Sequence, residues 1–189
     1  MAHEPVTVSL EFTPNPNTLK FVVNRQFLEK GAANFTDFEK ASVSPFAQKL
    51  FGIKGVAAVM IGTHFVTITK TPDGDWDIIA DEVPKRVEAF VLTGADYFLE
   101  EWTQHTPSVA TGANAEIEMK IREVLDNEIR PAVAMDGGDI TFGRYEDGIV
   151  YLHLQGACSS CPSSIATLKM GVETRLKEVV PEIKEVVQV

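Results

Sequence analysis

Cys158 and Cys161 are the side chains with the most chemistry within reach. They are the only cysteines among 189 residues, and Ser159-Ser160 separates them. A thiolate binds soft metals or attacks a disulfide, and C-x-x-C presents two of them on one short stretch of chain. A secreted domain stapled by disulfides would carry more cysteines at wider spacing. Gly156-Ala157 before the pair leaves room for something bulky to approach the backbone. Pro162-Ser163-Ser164 after it reads as the first turn of a helix, with serines available as caps. Backbone N–H groups and the helix dipole at such a start favour the thiolate. The plain alternative is two buried cysteines at a strand–helix junction; the spacing and its setting favour metal or redox chemistry.

Two thiolates do not complete a metal site. Structural zinc and iron–sulfur clusters take four ligands. His3, His64, His105 and His153 include no H-x₃-H pair. His153 lies in a predicted strand, on the face opposite Val150, Leu152 and Leu154, and reads as a solvent-facing or packed sheet residue. Either the pair works alone by disulfide exchange, or two chains bring two thiolates each to a shared group at a symmetric interface, exposed and easily released. The carboxylates of Met135-Asp136-Gly137-Gly138-Asp139 are poor soft-metal ligands beside thiolates. Gly137 and Gly138 permit a sharp turn there, and Asp136 and Asp139 are read as capping its backbone groups.

The elements that must position the pair follow from periodicity. Ile117, Ile121, Val124, Leu125 and Ile129 fall on one face of a helix from Ala115 to Arg130, which Pro131 should stop. Ile140–Tyr145 and Ile149–Gln155 read as strands joined across Glu146-Asp147-Gly148. After the cysteines comes a helix with Ile165, Leu168, Val172, Leu176 and Val179 on one face, ended by Pro181, and then a last strand over 183–189. The predicted core of this half is Ile117, Ile121, Leu125, Ile140, Phe142, Val150, Leu152, Ile165, Leu168, Val172 and Leu176, so the cysteine loop is expected to be partly exposed and outside it.

The first half reads differently. Val6–Phe12 alternates as a half-buried strand should, and Thr13-Pro14-Asn15-Pro16-Asn17 is a rigid turn into a second strand over 19–23. Ser44-Pro45 starts a helix that Gly52 ends. Val56–Ile61 and Phe65–Thr69 form a hairpin around Gly62-Thr63-His64. Trp76–Val91 has helical spacing, and Pro84 within it predicts a kink or two shorter pieces. The chain is therefore expected to be α+β in two small domains. The first, 1–100, is β-β-α-β-β-α. The second, 116–189, is α-β-β-α-β. Between them lies a linker over 101–115, of which Thr106–Ala115 is small, uncharged and polar.

Composition is globular, with 44% hydrophobic and 23% charged residues. Seventeen basic side chains face 27 acidic ones, a formal charge of −10, divided as 14 acidic and 9 basic up to residue 115 and 13 and 8 beyond it. A basic face for nucleic-acid phosphates or an anionic membrane is not expected. No apolar run approaches the ~18–20 residues of a membrane span. Met1-Ala2-His3-Glu4-Pro5 has neither signal-peptide nor transit-peptide character, so a bacterial cytoplasmic protein or a processed organellar one is expected.

The segment MDGGDITF, followed after a hairpin by LQGACSSCPSS and an amphipathic helix, resembles the C-terminal domain of the Nfu/NifU-like iron–sulfur proteins. The opening TPNPNTLKF resembles the N-terminal domain that accompanies it in the Nfu group. The resemblance covers nearly the whole chain. It implies a non-enzymatic carrier that receives a [4Fe–4S] cluster, or [2Fe–2S] as the alternative, from assembly machinery and passes it to recipient apo-proteins. It implies that Cys158 and Cys161 ligate the cluster, two chains sharing it as a holo homodimer or, in a processed form, a mitochondrial-matrix protein doing the same. It assigns no role to Asn15 or Pro16. A thiol–disulfide oxidoreductase and a zinc-stabilised dimer using the same C-x-x-C are the competing readings; the hairpin before the pair, in place of a βαβ unit, counts against the first.

Overall fold

In the computed structural model the backbone is described over residues 4–102, 114–159 and 162–189. The chain forms two compact units, Met1–Gln104 and His105–Val189, each an α+β arrangement with its own sheet. Most of the predicted linker, 103–113, lies outside the described residues, as do His105 and the first three residues. Among the described residues no helix is long and apolar enough to cross a membrane.

In the first unit, β1 (Val8–Phe12), β2 (Thr18–Val23), β3 (Ala33–Phe35), β4 (Val56–Ile61) and β5 (Phe65–Lys70) make an antiparallel sheet in the order β1-β2-β5-β4-β3. The turn between β1 and β2 is tied down from within. Thr13 donates its hydroxyl to the Asn15 and Thr18 carbonyls, and the buried Asn15 side chain accepts from Asn17 N–H at 3.0 Å. Ser44 caps α1 (Pro45–Phe51), its hydroxyl oxygen accepting from Ala47 N–H at 3.1 Å. That hydroxyl also donates to Tyr97 O at 2.7 Å, so the fully buried Ser44 is satisfied both ways. Asp75 caps α2 (Trp76–Thr93).

Three sequence expectations change here. Pro84 neither splits α2 nor ends it: Ile79 and Val83 on one side and Val87 on the other are fully buried, and that packing holds the helix across the missing N–H. The short strand β3 is additional. Ala-Asn-Phe is too brief to carry alternation, and it becomes a strand through pairing with β4. The strand predicted over Val6–Phe12 exists as β1 but is largely exposed rather than half-buried, because it is an edge beyond which the helices do not extend.

In the second unit, β6 (Gly138–Glu146) and β7 (Ile149–Gly156) form a hairpin with a bulge between Phe142 and Arg144. Asp147 and Gly148 both take positive φ at its turn. The crossover α5 (Pro162–Val179) returns the chain to β8 (Glu185–Gln188), parallel to β7. Glu173 on α5 accepts from Val186 N–H at 3.0 Å and pairs with Lys177, fixing helix to strand.

The helix predicted to stop at Pro131 does not. α3 (Ala115–Val124) passes into one π-helical turn, Leu125–Ile129, and then into α4 (Arg130–Met135), with Pro131 in its first turn. Arg130 N–H bonds to Leu125 O, five residues back. The widened turn places the proline where the hydrogen-bond register changes, which removes the clash that would otherwise end the helix. The extension carries the chain directly into Asp136-Gly137-Gly138.

Candidate metal centre at the cysteine loop

Cys158 follows β7 in a 3₁₀ turn, Ala157–Ser159, just before α5. Ser159 donates its hydroxyl to Gly156 O at 2.8 Å, and Ala157 N–H bonds to Gly137 O at 3.2 Å. The MDGGD loop is therefore the floor of the cysteine loop. Gly137 takes φ 75°, as the sharp turn requires. Gly138 has a different reason to be glycine. It pairs with Gly156 across the hairpin, and a Cβ on it would lie 2.5 Å from Cys158 Sγ. The thiol rests on bare backbone, and any side chain at 138 would displace it.

Asp139 does not cap a turn, as its sequence suggested. Its carboxylate is buried and accepts two hydrogen bonds from Arg130, Nε to Oδ1 and Nη2 to Oδ2, each 2.8 Å. Arg130 also donates to Asp126 at 2.9 Å. These hydrogen bonds, Asp139 foremost, hold the guanidinium well above the usual arginine range, so the charge is permanent. Directly opposite Asp139 stands Gln155, whose Oε1 is buried with no hydrogen-bond partner among the described residues. Sequence reading missed the Arg130–Asp139 pair. The two residues are nine apart across a helix end and a turn, and only the unforeseen continuation of the helix through Pro131 brings them together.

Cys158 departs from expectation in one respect. It is 5% exposed and packs in the core of its unit with Ile121, Leu125, Ile140, Leu152, Val172 and Leu176. A strand ending over the core, followed by an immediate helix start, turns this position inward. Cys161 lies outside the described residues, as does Ser160, and the side chain of Ile165 is likewise undescribed. His153 is exposed on β7, its Nδ1 3.3 Å from Val189 O, in keeping with a bland sheet residue. No three His, Cys, Asp or Glu side chains converge among the described residues.

Comparison with known proteins agrees with this architecture. Residues 8–94 match the scaffold protein Nfu/NifU N-terminal domain, and residues 121–187 match the NifU-like domain. A human protein, the mitochondrial NFU1 iron-sulfur cluster scaffold homolog, is 40% identical over 185 residues, covering 96% of this chain and 71% of its own length. The mitochondrial NifU-like protein 4 of Arabidopsis thaliana is 40% identical over 184 residues, covering 96% of this chain and 65% of its own length. A solved NifU-like protein from Saccharomyces cerevisiae is 27% identical over 53% of this chain and 94% of that one, with a TM-score of 0.44. The chain belongs to the Nfu/NifU family, a family of scaffold proteins rather than of enzymes, and carries both of its domains in order.

Proposed function

We propose that this protein is an iron–sulfur cluster carrier: two copies hold one [4Fe–4S] cluster between them through Cys158 and Cys161 of each, and release it to recipient apo-proteins after loading by assembly machinery. The observation that carries the reading is the seat of Cys158, its sulfur resting against the Gly138 backbone at the mouth of a helix start, in a chain that has two cysteines in all. Four thiolates are needed and one chain supplies half of them. A Cys₄ set would also accept [2Fe–2S]. A site shared across a symmetric interface keeps its cargo near the surface, which suits transfer. Cytoplasm or, for a processed form, the mitochondrial matrix would be its compartment.

Anaerobic reconstitution with iron and sulfide tests the proposal. The expected product is a brown dimer whose iron and acid-labile sulfide match one cluster per two chains. A stable holo-monomer with every iron ligated by protein sulfur would sink the shared site. Disulfide exchange on insulin without metal would point to the oxidoreductase reading, and tight zinc binding with no uptake of sulfide to the structural dimer.

A further inference from the structure

The cysteine loop is at one end of the second unit, yet the most unusual surface among the described residues belongs to the first. β1 is a five-residue edge strand with no strand paired to its outer side among the described residues. Thr7 O accepts from Asn24 N–H, which places residue 7 in hydrogen-bonded register with the inner neighbour β2. By alternation, Ser9 and Glu11 also direct their N–H and C=O groups inward, while Val8, Leu10 and Phe12 direct theirs to the open side. The other edge is protected differently: β3 is three residues long, with Ala33 and Phe35 buried. Short edges resist pairing, and β1 lacks that protection.

The side chains of the same three residues share the inner face of the sheet, since they pair with Val23, Phe21 and Leu19 of the core. Phe12 is nonetheless 86% exposed and Leu10 38%. α2 runs alongside. Arg86 turns one flank of it toward α1 through a 2.9 Å bond to Lys49 O, while Trp76 reaches the β1–β2 turn by donating to Pro16 O at 3.2 Å. The flank toward β1 is thus the one carrying Trp76, Ala80 and Pro84, all half-buried. The open strand edge and this half-buried helix flank together leave an apolar strip beside β1. One step further round the helix, this flank is bordered by exposed carboxylates. Asp81 pairs with Lys85, but Asp77 and Glu88 are in no ion pair among the described residues. On the outer face, the one charge of β1, Glu11, pairs with Lys20.

We infer that the open edge of β1 takes an extended segment of another protein as an added strand, with apolar side chains at alternate positions seated against Leu10, Phe12 and the α2 flank, and lysine or arginine on that same face at the ends of the apolar run. The main-chain groups of Val8, Leu10 and Phe12 supply the pairing, the apolar strip selects apolar side chains, and Asp77 and Glu88 select positive charge. An acidic segment would meet the same carboxylates as repulsion.

The probe is a pool of capped nonapeptides with threonine at every second position, randomised Val, Ile, Leu or Phe at the central positions of the other face and lysine at the two ends of that face, with a matched pool carrying glutamate in place of lysine, applied to the full chain. Amide exchange over residues 8–12 and Trp76 fluorescence are the readouts. In the free protein the outward amides of 8, 10 and 12 should exchange fast, and binding from the lysine pool should slow them at least tenfold. Phe12→Lys, and separately Asp77→Lys with Glu88→Lys, should each weaken binding at least tenfold without changing the far-ultraviolet circular dichroism. Leu10→Pro removes one outward donor and should abolish it; should that variant not fold, the exposed-residue variants decide. Equal binding of the glutamate pool, or no binding from the lysine pool at millimolar peptide, overturns the proposal. So does slow exchange in the free monomer, which means the chain covers its own edge. Protection that grows with protein concentration alone overturns it in favour of a second copy.

Discussion

The two units solve the same problem, helices on one face of a sheet, with different interiors. The first is built on rings: Phe46 packs within 5.0–5.4 Å of Phe27, Phe90 and Tyr97, and Phe21 and Phe35 are buried with them. The second buries Ile, Val, Leu and one cysteine, and its Phe142 and Tyr145 are only partly covered. Interlocked rings leave few alternative packings, whereas an aliphatic core with a thiol at its end can adjust locally. The difference suits a division of labour in which the first unit offers a fixed surface and the second accommodates a group that comes and goes.

The comparison can be broken most forcefully in the aromatic core. Phe46→Ala should cost about 3–5 kcal/mol in the first unit. If the two compact units are independent, thermal unfolding should separate into two transitions, with iron uptake by the second unit unchanged. Loss of both together would show that they fold as one. A smaller cost is expected from Asp139→Asn, about 2 kcal/mol, because Arg130 keeps a permanent charge and loses its buried bidentate carboxylate, retaining only Asp126. The urea midpoint of the second unit measures it.

Two substitutions at the thiol sharpen the contrast further. Gly138→Ala should cost about 1–2 kcal/mol and displace Cys158, reducing reconstituted iron although every thiol is retained. Cys158→Ala should remove the cluster and also cost about 1–2 kcal/mol, since the thiol is core rather than loop. Full iron in the alanine variant would show the ligand assignment to be wrong.

The smallest effect is acidic. Lys177, then the Val186 N–H, hold the Glu173 carboxyl below its ordinary value of 4.5. Its folded pKa is depressed, so its contribution is present above the unfolded value and is lost as pH falls through the folded one. Glu173→Gln should lower stability by under about 1 kcal/mol at pH 7 and have no effect well below pH 4, read as the difference in thermal midpoint across that range.

These particulars also mark what the sequence could reveal. Ser44-Pro45 and Asp147-Gly148 are local signals, and the helix start and hairpin turn stand where such residues put them. The cysteine string likewise announced its place between a strand and a helix. Non-local outcomes were not legible. The burial of Cys158 depends on what β6 and α5 bring over it. The exposure of Phe12 depends on where α2 ends its coverage, and no alternation pattern distinguishes an inner strand from an edge. Pro131 reads as a stop by every local rule, and the π turn that admits it is set by packing on both sides.

The sheet of the first unit joins β2 to β5, and its Thr18 and Thr69 hydroxyls meet at 3.2 Å across 51 residues of chain. The longest hydrogen bond described in the second, Arg175 to Glu128, spans 47, against 60 for Trp76 to Pro16 in the first. Closing the larger loop is entropically the costlier step by only about 0.2 kcal/mol, so loop length sets no order between the two, and a probe confined to the first unit is what can tell them apart. Both tryptophans, Trp76 and Trp102, belong to it. Tryptophan emission during refolding therefore times the assembly of the ring-packed half alone, and is blind to the half that holds the thiol.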